Sequence, residues 1–552
     1  MSEYSEPEKN KARSAVINSA IEALTQNRSV STLARRSYVR DVRDHILSKD
    51  NPYDAVVAKK LSDKTIERWE SFYDSIVQSR SPENLKVAYL CGPNPENDLR
   101  VFCNAGVLPE NIWAFESHKD IYPKALESAL KSEFPFIKII NGGLDLFIEA
   151  SPQRFDIIYL DFCGPLPSTE QQTLLALTRI LAKHALNSPG VLITNFSLPT
   201  IDQNEAGRSL LSKLVSCYLY PKVFVEDEDS ESGFSPGAVA QGLDTDEWFK
   251  KVSNDLDYYY GQFVTRLLID HASLISPYNR FPKKNNFLYT KFFNVDKYSL
   301  LSTRQNSYFH FDEEDKGGGG DVIVDSEQHP ILWTLAALDK ELNRGDCNYP
   351  QFIFEDEKFA KFAELFLREL DVNTTKEKLI DSFFTISFLL AEGNGQEEFW
   401  SKELKALKAL YEKHSFRDFY QFCDLLLFHQ IFEALFRQVA VPYHVNISET
   451  KRWSYKAKDT PMYMDMMILD ECRYLYDWMP TTDMFLREIS DDMFLSGISD
   501  IERQLSYRFA LDGVAKHIRW YNPEYFFGTA VVDQFTKGFE AKTLKPRETI
   551  KN

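Results

Sequence analysis

Leu85-Lys86-Val87-Ala88-Tyr89-Leu90-Cys91-Gly92 is an apolar run that stops at a glycine. Ile112-Trp113-Ala114-Phe115-Glu116 is a second run, stopping at a carboxylate 24 residues beyond Gly92. Both read as buried strands bounded by turn signals. A glycine at a strand-to-helix turn lets a ligand approach the backbone closely. An acid roughly 20 residues further on is placed to accept both hydroxyls of a ribose. Gly92 and Glu116 together point to a nucleoside-type ligand.

Outward from this pair the pattern alternates. Helical spacing is expected over 98–105, 122–132 and 169–186, with strands over 136–140, 155–161 and 190–195 between and after them. Strands alternating with helices of about ten residues imply a parallel sheet with right-handed crossovers. Upstream, residues 7–80 read as helical, from Ala15, Val16, Ile17, Ala20, Ile21 and Leu24 and again from Ile66, Trp69, Phe72, Tyr73 and Ile76. Arg35, Arg36, Arg40 and Arg43 between them read either as a solvated face balanced by Asp41 and Asp44 or as a phosphate contact near the ligand mouth. Downstream, 209–220 and 248–274 read as helices, 226–242 as a surface loop, and 286–293 as a strand completing a sheet edge.

Asp312-Glu313-Glu314-Asp315 followed by Gly317-Gly318-Gly319-Gly320 is the clearest linker, because like charges repel and glycines maximise backbone entropy. It divides the chain into a helical extension (1–84), an α/β domain (85–311), the linker (312–328) and a mainly α-helical C-terminal domain (329–552). Helices are expected there over 356–370, 463–476 and 501–520, among others.

At 552 residues the chain has ample length for more than one core, and its 41 Phe and 27 Tyr signal large buried surfaces rather than disorder. A net charge of −18 repels polyanions at long range, so nucleic acid would need a local basic groove. The seven cysteines contain no C-x-x-C pair, which argues for reduced thiols and against structural zinc or a disulfide framework. With a polar amino terminus and no run of 18 apolar residues, the expectation is a cytoplasmic protein without a membrane span.

Residues 85–200 resemble the class I S-adenosylmethionine-dependent methyltransferases, a Rossmann-like family. The resemblance implies that Gly92 lies beneath the methionine part of the cofactor, with Asn94 in the same loop, and that Glu116 holds the ribose. It further implies that Asp145, within Asn141-Gly142-Gly143-Leu144-Asp145, flanks the adenine. Asp161-Phe162-Cys163-Gly164-Pro165 becomes the reaction segment. There Asp161 would orient the lone pair of an amine toward the methyl sulfonium, and Phe162 would stack a base. Two departures stand out: the loop Gly92-Pro93-Asn94-Pro95-Glu96-Asn97-Asp98 has one glycine where the family usually has two or three, and its prolines remove amide donors. Asn94, Asn97 or Asp98 compensates, or the pocket has decayed. Cys163 as a covalent nucleophile and Asp161 as a purely structural strand-end acid are the other readings of the segment.

Thr194-Asn195-Phe196-Ser197 faces the same crevice or merely caps its strand. Lys451, Arg452, Trp453, Tyr455, Lys456 and Lys458 interleave basic and aromatic residues densely. They read as a local nucleic-acid contact or as a basic loop meeting acids such as Asp465 and Asp470. Arg280-Phe281-Pro282-Lys283-Lys284 is a second such segment. The histidines show no paired ligand spacing, so no metal is expected. The leading expectation is a methyltransferase acting on an amine of a nucleic-acid base, the C-terminal half selecting the target. The alternative is a non-catalytic methyltransferase-like subunit of a larger protein complex.

Overall fold

The structure, a computed structural model, describes residues 7–48, 61–162, 164–168, 170–219, 245–280, 356–370, 441–478 and 545–551, with short pieces at 59, 222–223, 241–242, 291, 401–403, 405–406 and 409. The linker at 312–328, the expected strand at 286–293, the expected helix at 501–520 and Cys163 lie wholly or almost wholly outside these residues.

Five parallel strands form the centre: β1 (Val87–Leu90), β2 (Ile112–Glu116), β3 (Lys138–Asn141), β4 (Phe155–Asp161) and β5 (Leu186–Ser197). They lie in the order β3-β2-β1-β4-β5, so the direction of winding reverses between β1 and β4. β1 to β4 end where the apolar run meets a glycine, acid or amide, as the sequence indicates, while β5 starts before the expected Gly190 and runs past Asn195 to Ser197. The helices between them are α5 (Glu96–Asn104), α6 (Tyr122–Lys131), α7 (Leu144–Ala150) and α8 (Thr173–Ala182). The helical extension is α1 (Pro7–Leu24), α2 (Arg28–Ser31), α3 (Tyr38–Ser48) and α4 (Asp63–Val77). After β5 come α9 (Ile201–Tyr218), α10 (Thr245–Asn254), α11 (Leu256–Asp270), a π-turn over His271–Ile275 and α12 (Ser276–Arg280), then α13 (Glu357–Glu369).

The C-terminal half departs from expectation. Residues 463–476 were to be helical, yet most of that span is strand. Here β6 (His444–Val445), β7 (Lys451–Ala457), β8 (Thr460–Asp470) and β9 (Glu548–Thr549) join the same sheet, with only the short α14 (Arg473–Tyr476) between β8 and β9 among the described residues. β8 runs antiparallel to β5, from Met462 opposite Ser197 to Leu469 opposite Gly190, and β7 folds back on β8. The run Met462-Tyr463-Met464-Asp465-Met466-Met467-Ile468-Leu469 is apolar enough for either structure. Its seat between two strands decides, and local propensity yields. The sheet therefore joins residues from 85–311 and 329–552, so these two expected domains share one core.

Alternation along the strands sorts that core into two faces. Tyr89, Ala114, Tyr159, Ile193, Trp453, Tyr455 and Met464 share one cluster with Ala12, Val16 and Ala20 of α1 and Leu99 and Phe102 of α5. By the same period of two, Glu116, Asp161 and Asn195 fall on this face, at the carboxyl ends of their strands. α11 takes the opposite face: Thr265 bonds Asp465 there. No described helix is long and apolar enough to cross a membrane.

Candidate functional site

In open α/β sheets ligands bind beyond the carboxyl ends of the strands, where the winding reverses. Here that point lies between β1 and β4, with Gly92 on one side and Asp161 on the other. Gly92 has φ +59°, the left-handed conformation that glycine adopts without steric cost. A Cβ built on Gly92 or on Gly142, at the end of β3, would meet no heavy atom within 4 Å. Between these two bare backbones stands Glu116. Its Oε1 accepts the His118 amide at 2.7 Å, and Oε2 has no partner among the described residues. The residue is only 6% exposed, on the strand flanked by the two glycine-bearing turns. The paired prolines do not plug the space over Gly92. Pro95 is buried, its carbonyl taking the Tyr89 hydroxyl at 2.7 Å, while Asn94 is exposed.

The other half of the edge is finished differently. Asp161 Oδ1 accepts Asn195 Nδ2 at 2.7 Å, and the same amide nitrogen donates to Tyr455 Oη at 2.8 Å. Asp161 Oδ2 pairs with Lys9 Nζ at 2.9 Å. Lys9 stands in the first turn of α1, and one turn on Arg13 donates through Nε to Asp98 at 2.5 Å. Asp98 is fully enclosed. Burial pushes its carboxyl up; Arg13 opposes that push and Asp161 adds to it. Two polar atoms in this half, Tyr159 Oη and Asn195 Oδ1, are buried with no hydrogen-bond partner. Buried polar groups are ordinarily satisfied, so a donor and an acceptor left open beside a carboxylate fit a site for a polar guest.

Several expected residues are placed elsewhere. Asp145, in the first turn of α7, is held by Arg179 of α8 at 2.6 Å, so its carboxylate serves an interhelical ion pair rather than standing free for an adenine. Phe162 stacks on Phe196 at 5.3 Å and 17° and is nearly buried, so its ring is packing and not an open stacking surface. Lys451–Ala457 is a strand, not a loop. Trp453, Tyr455 and Arg452 are buried, Arg452 donating to Gln262 and the Lys545 carbonyl, while Lys451 reaches Ser19. A nucleic acid cannot stack on rings that face the core. Arg280 is likewise internal, donating to the carbonyls of Leu181 and Val441. Arg36, Arg40 and Arg43 pair with Asp63, Glu70 and Asp74, away from the ligand edge.

The residues missed by sequence reasoning are Lys9 and Arg13. Their signal was a basic pair four positions apart beside the apolar stripe of Ala12, Val16 and Ala20, which places both on a buried helix flank. Among the described residues no group of three or more His, Cys, Asp or Glu side chains is placed to hold a metal ion. No known protein family, curated protein or solved structure matches the chain.

Proposed function

We propose that this protein is an S-adenosylmethionine-dependent methyltransferase that binds its cofactor over β1 and β2 and transfers a methyl group to an amine delivered to Asp161. The observation that carries the reading is Glu116, with one carboxylate oxygen fixed by a backbone amide and the other left open between the bare turns at Gly92 and Gly142. A ribose diol presents two hydroxyl donors, and a fixed carboxylate receives them without reorganising. The resemblance implies a late strand beyond the alternating set, expected at 286–293, which lies almost wholly outside the described residues; among those residues, the strand that pairs with β5 on the side away from β4 is Thr460–Asp470.

The cofactor supplies an electrophilic methyl on a sulfonium. The protein's part is positional. Gly92 admits the ligand close to the backbone, and Glu116 fixes the sugar. Asp161, oriented by Asn195, accepts an N–H of the incoming amine so that its lone pair points inward, the near-attack arrangement that lowers the entropic barrier. α1 covers the face on which this happens and limits water. Lys9 must leave Asp161 before an acceptor takes its place. A nucleic-acid base remains the proposed acceptor on the strength of Asp161 alone, since Phe162, Trp453 and Tyr455 offer it no stacking surface.

One observation favours the second reading, a non-catalytic subunit: Lys9 already neutralises Asp161. Incubating the protein with radiolabelled S-adenosylmethionine and mixed RNA or DNA separates the two. The enzyme labels nucleic acid, and Asp161→Asn does not while still binding cofactor. A subunit binds neither.

A further inference from the structure

The start of α1 carries a primary amine to the carboxyl edge of the sheet. Pro7 opens the helix, and Lys9 in its first turn extends to Asp161, Nζ lying 2.9 Å from Oδ2. The other oxygen of Asp161 is fixed by the Asn195 amide. In the parallel pairing of β1 with β4, Tyr89 stands opposite Tyr159. Two residues further on, Asp161 comes level with Cys91, one residue before the turn at Gly92. The amine of Lys9 therefore ends where the winding reverses, beside the turn proposed to receive the cofactor.

The fold fixes which amine arrives there. α1 packs on β5, β7 and α5, with Ala12, Val16 and Ala20 fully buried. One turn beyond Lys9, the buried Arg13 ties the helix to Asp98. Residues two apart on a helix face different ways. Lys11 accordingly points elsewhere, its Nζ donating to the Lys551 carbonyl at 3.2 Å on the exposed side. The surroundings of Asp161 also suit an aliphatic amine, which needs a carboxylate and no stacking surface. Burial raises the Asp98 carboxyl, and Lys9 acts with Arg13 against that rise, so a second acid lies within its field.

We infer that Lys9 is itself a methyl acceptor, the amine held against Asp161 being placed to receive the methyl group within the same chain. The inference rests on the methyltransferase reading above. Nζ gives a proton to Asp161 Oδ2, and the lone pair so freed attacks the methyl carbon. The C–N bond forms as the C–S bond breaks, the bonding pair stays on sulfur, and the proton passes to water. The products are lysine methylated at Nζ and S-adenosylhomocysteine. Delivery within one chain replaces a bimolecular encounter, and Lys9 has no need to leave its place. Each methyl replaces an N–H while the charge stays. A trimethylated nitrogen has no hydrogen left for Asp161, so the bond that holds the start of α1 over this acid is lost.

The full chain is incubated with methyl-labelled S-adenosylmethionine in the absence of nucleic acid, digested, and read by fragmentation mass spectrometry beside the protein as purified. Methyl groups should appear on Lys9 and not on Lys11, with a rate constant unchanged when the protein is diluted. Lys9→Arg, which keeps a cation at Asp161, should remove the label. A second readout needs no transfer. S-adenosylhomocysteine, which has no methyl to give, should shield Lys9 severalfold from an amine-reactive reagent and leave Lys11 as reactive as before. Methyl on Lys11 or spread over exposed lysines, a rate constant that rises with protein concentration, or equal reactivity of Lys9 with and without the ligand overturns the inference. Labelled nucleic acid with Lys9 unmodified overturns it and leaves the methyltransferase reading standing. A chain that binds no S-adenosylmethionine takes both down.

Discussion

Along the carboxyl edge of the sheet, the side over β1, β2 and β3 presents Gly92 and Gly142 with nothing above them and a glutamate with one oxygen open. The side over β4 and β5 carries Asp161 with both oxygens engaged, Lys9 laid on it, and Arg13 sunk beside it against Asp98. Both sides belong to one face of one sheet, and both end in carboxylates. What separates them is α1, whose first turn reaches only the second. The first half, where the proposal puts the ligand, is open at its two glycines, and the second, where it puts the acceptor, is covered by the chain itself. On the proposed reading, a nucleoside ligand would bind without rearrangement and an acceptor from outside the chain would enter only after the start of α1 shifts.

The contrast breaks most easily at Arg13. Removing one partner of a buried pair strands the other, so Arg13→Ala should cost about 3–5 kcal/mol in a urea melt. A loss under about 1 kcal/mol would mean that α1 is not clamped to the sheet at all. Next is Asp161→Asn, which keeps the shape and removes the charge. Methyl transfer in a single-turnover assay should fall at least about 100-fold, while cofactor affinity moves less than about threefold. Equal losses in both would make Asp161 a structural support. The smallest effect sharpens the idea of a closed acceptor half. Lys9 is partly exposed, so Lys9→Ala should change stability by less than about 1 kcal/mol. The same change frees an oxygen of Asp161, and the acceptor KM should drop several-fold with little change in kcat. An unchanged or raised KM would show that Lys9 helps the acceptor rather than blocking it.

How much of this was legible in the sequence follows from distance along the chain. β1 to β5 could be read because each is an apolar run ended within a few residues by Gly92, Glu116, Asn141, Asp161 or the polar end of β5 at Ser197. Glu116 and Gly92 were legible for the same reason: their relation is fixed by one strand, one helix and the next strand. β7 and β8 were not. The pairing of β8 with β5 spans more than 260 residues (Met462 opposite Ser197), β7 is placed only through β8, and the apolar run of β8, flanked on both sides by strands, carries no alternation to betray it. The basic and aromatic residues at 451–458 looked like a surface because composition does not say which way a side chain points. As a strand, the segment turns Trp453 and Tyr455 inward and leaves Lys456 outside. The acceptor half was half-read. Asp161 and Asn195 stood out at strand ends, whereas Lys9 and Arg13 lie about 150 residues upstream in a helix whose apolar stripe drew the attention.

The most direct measurement is a calorimetric titration of the purified chain with S-adenosylmethionine, repeated on Glu116→Gln. A carboxylate accepting ribose hydroxyls contributes about 1.5–3 kcal/mol through charge-assisted hydrogen bonds, which is about 10- to 100-fold in affinity. The account predicts saturable binding to the wild type, weakened by that factor in the variant, with thermal stability unchanged. No binding to the wild type, or equal binding to both proteins, would contradict it.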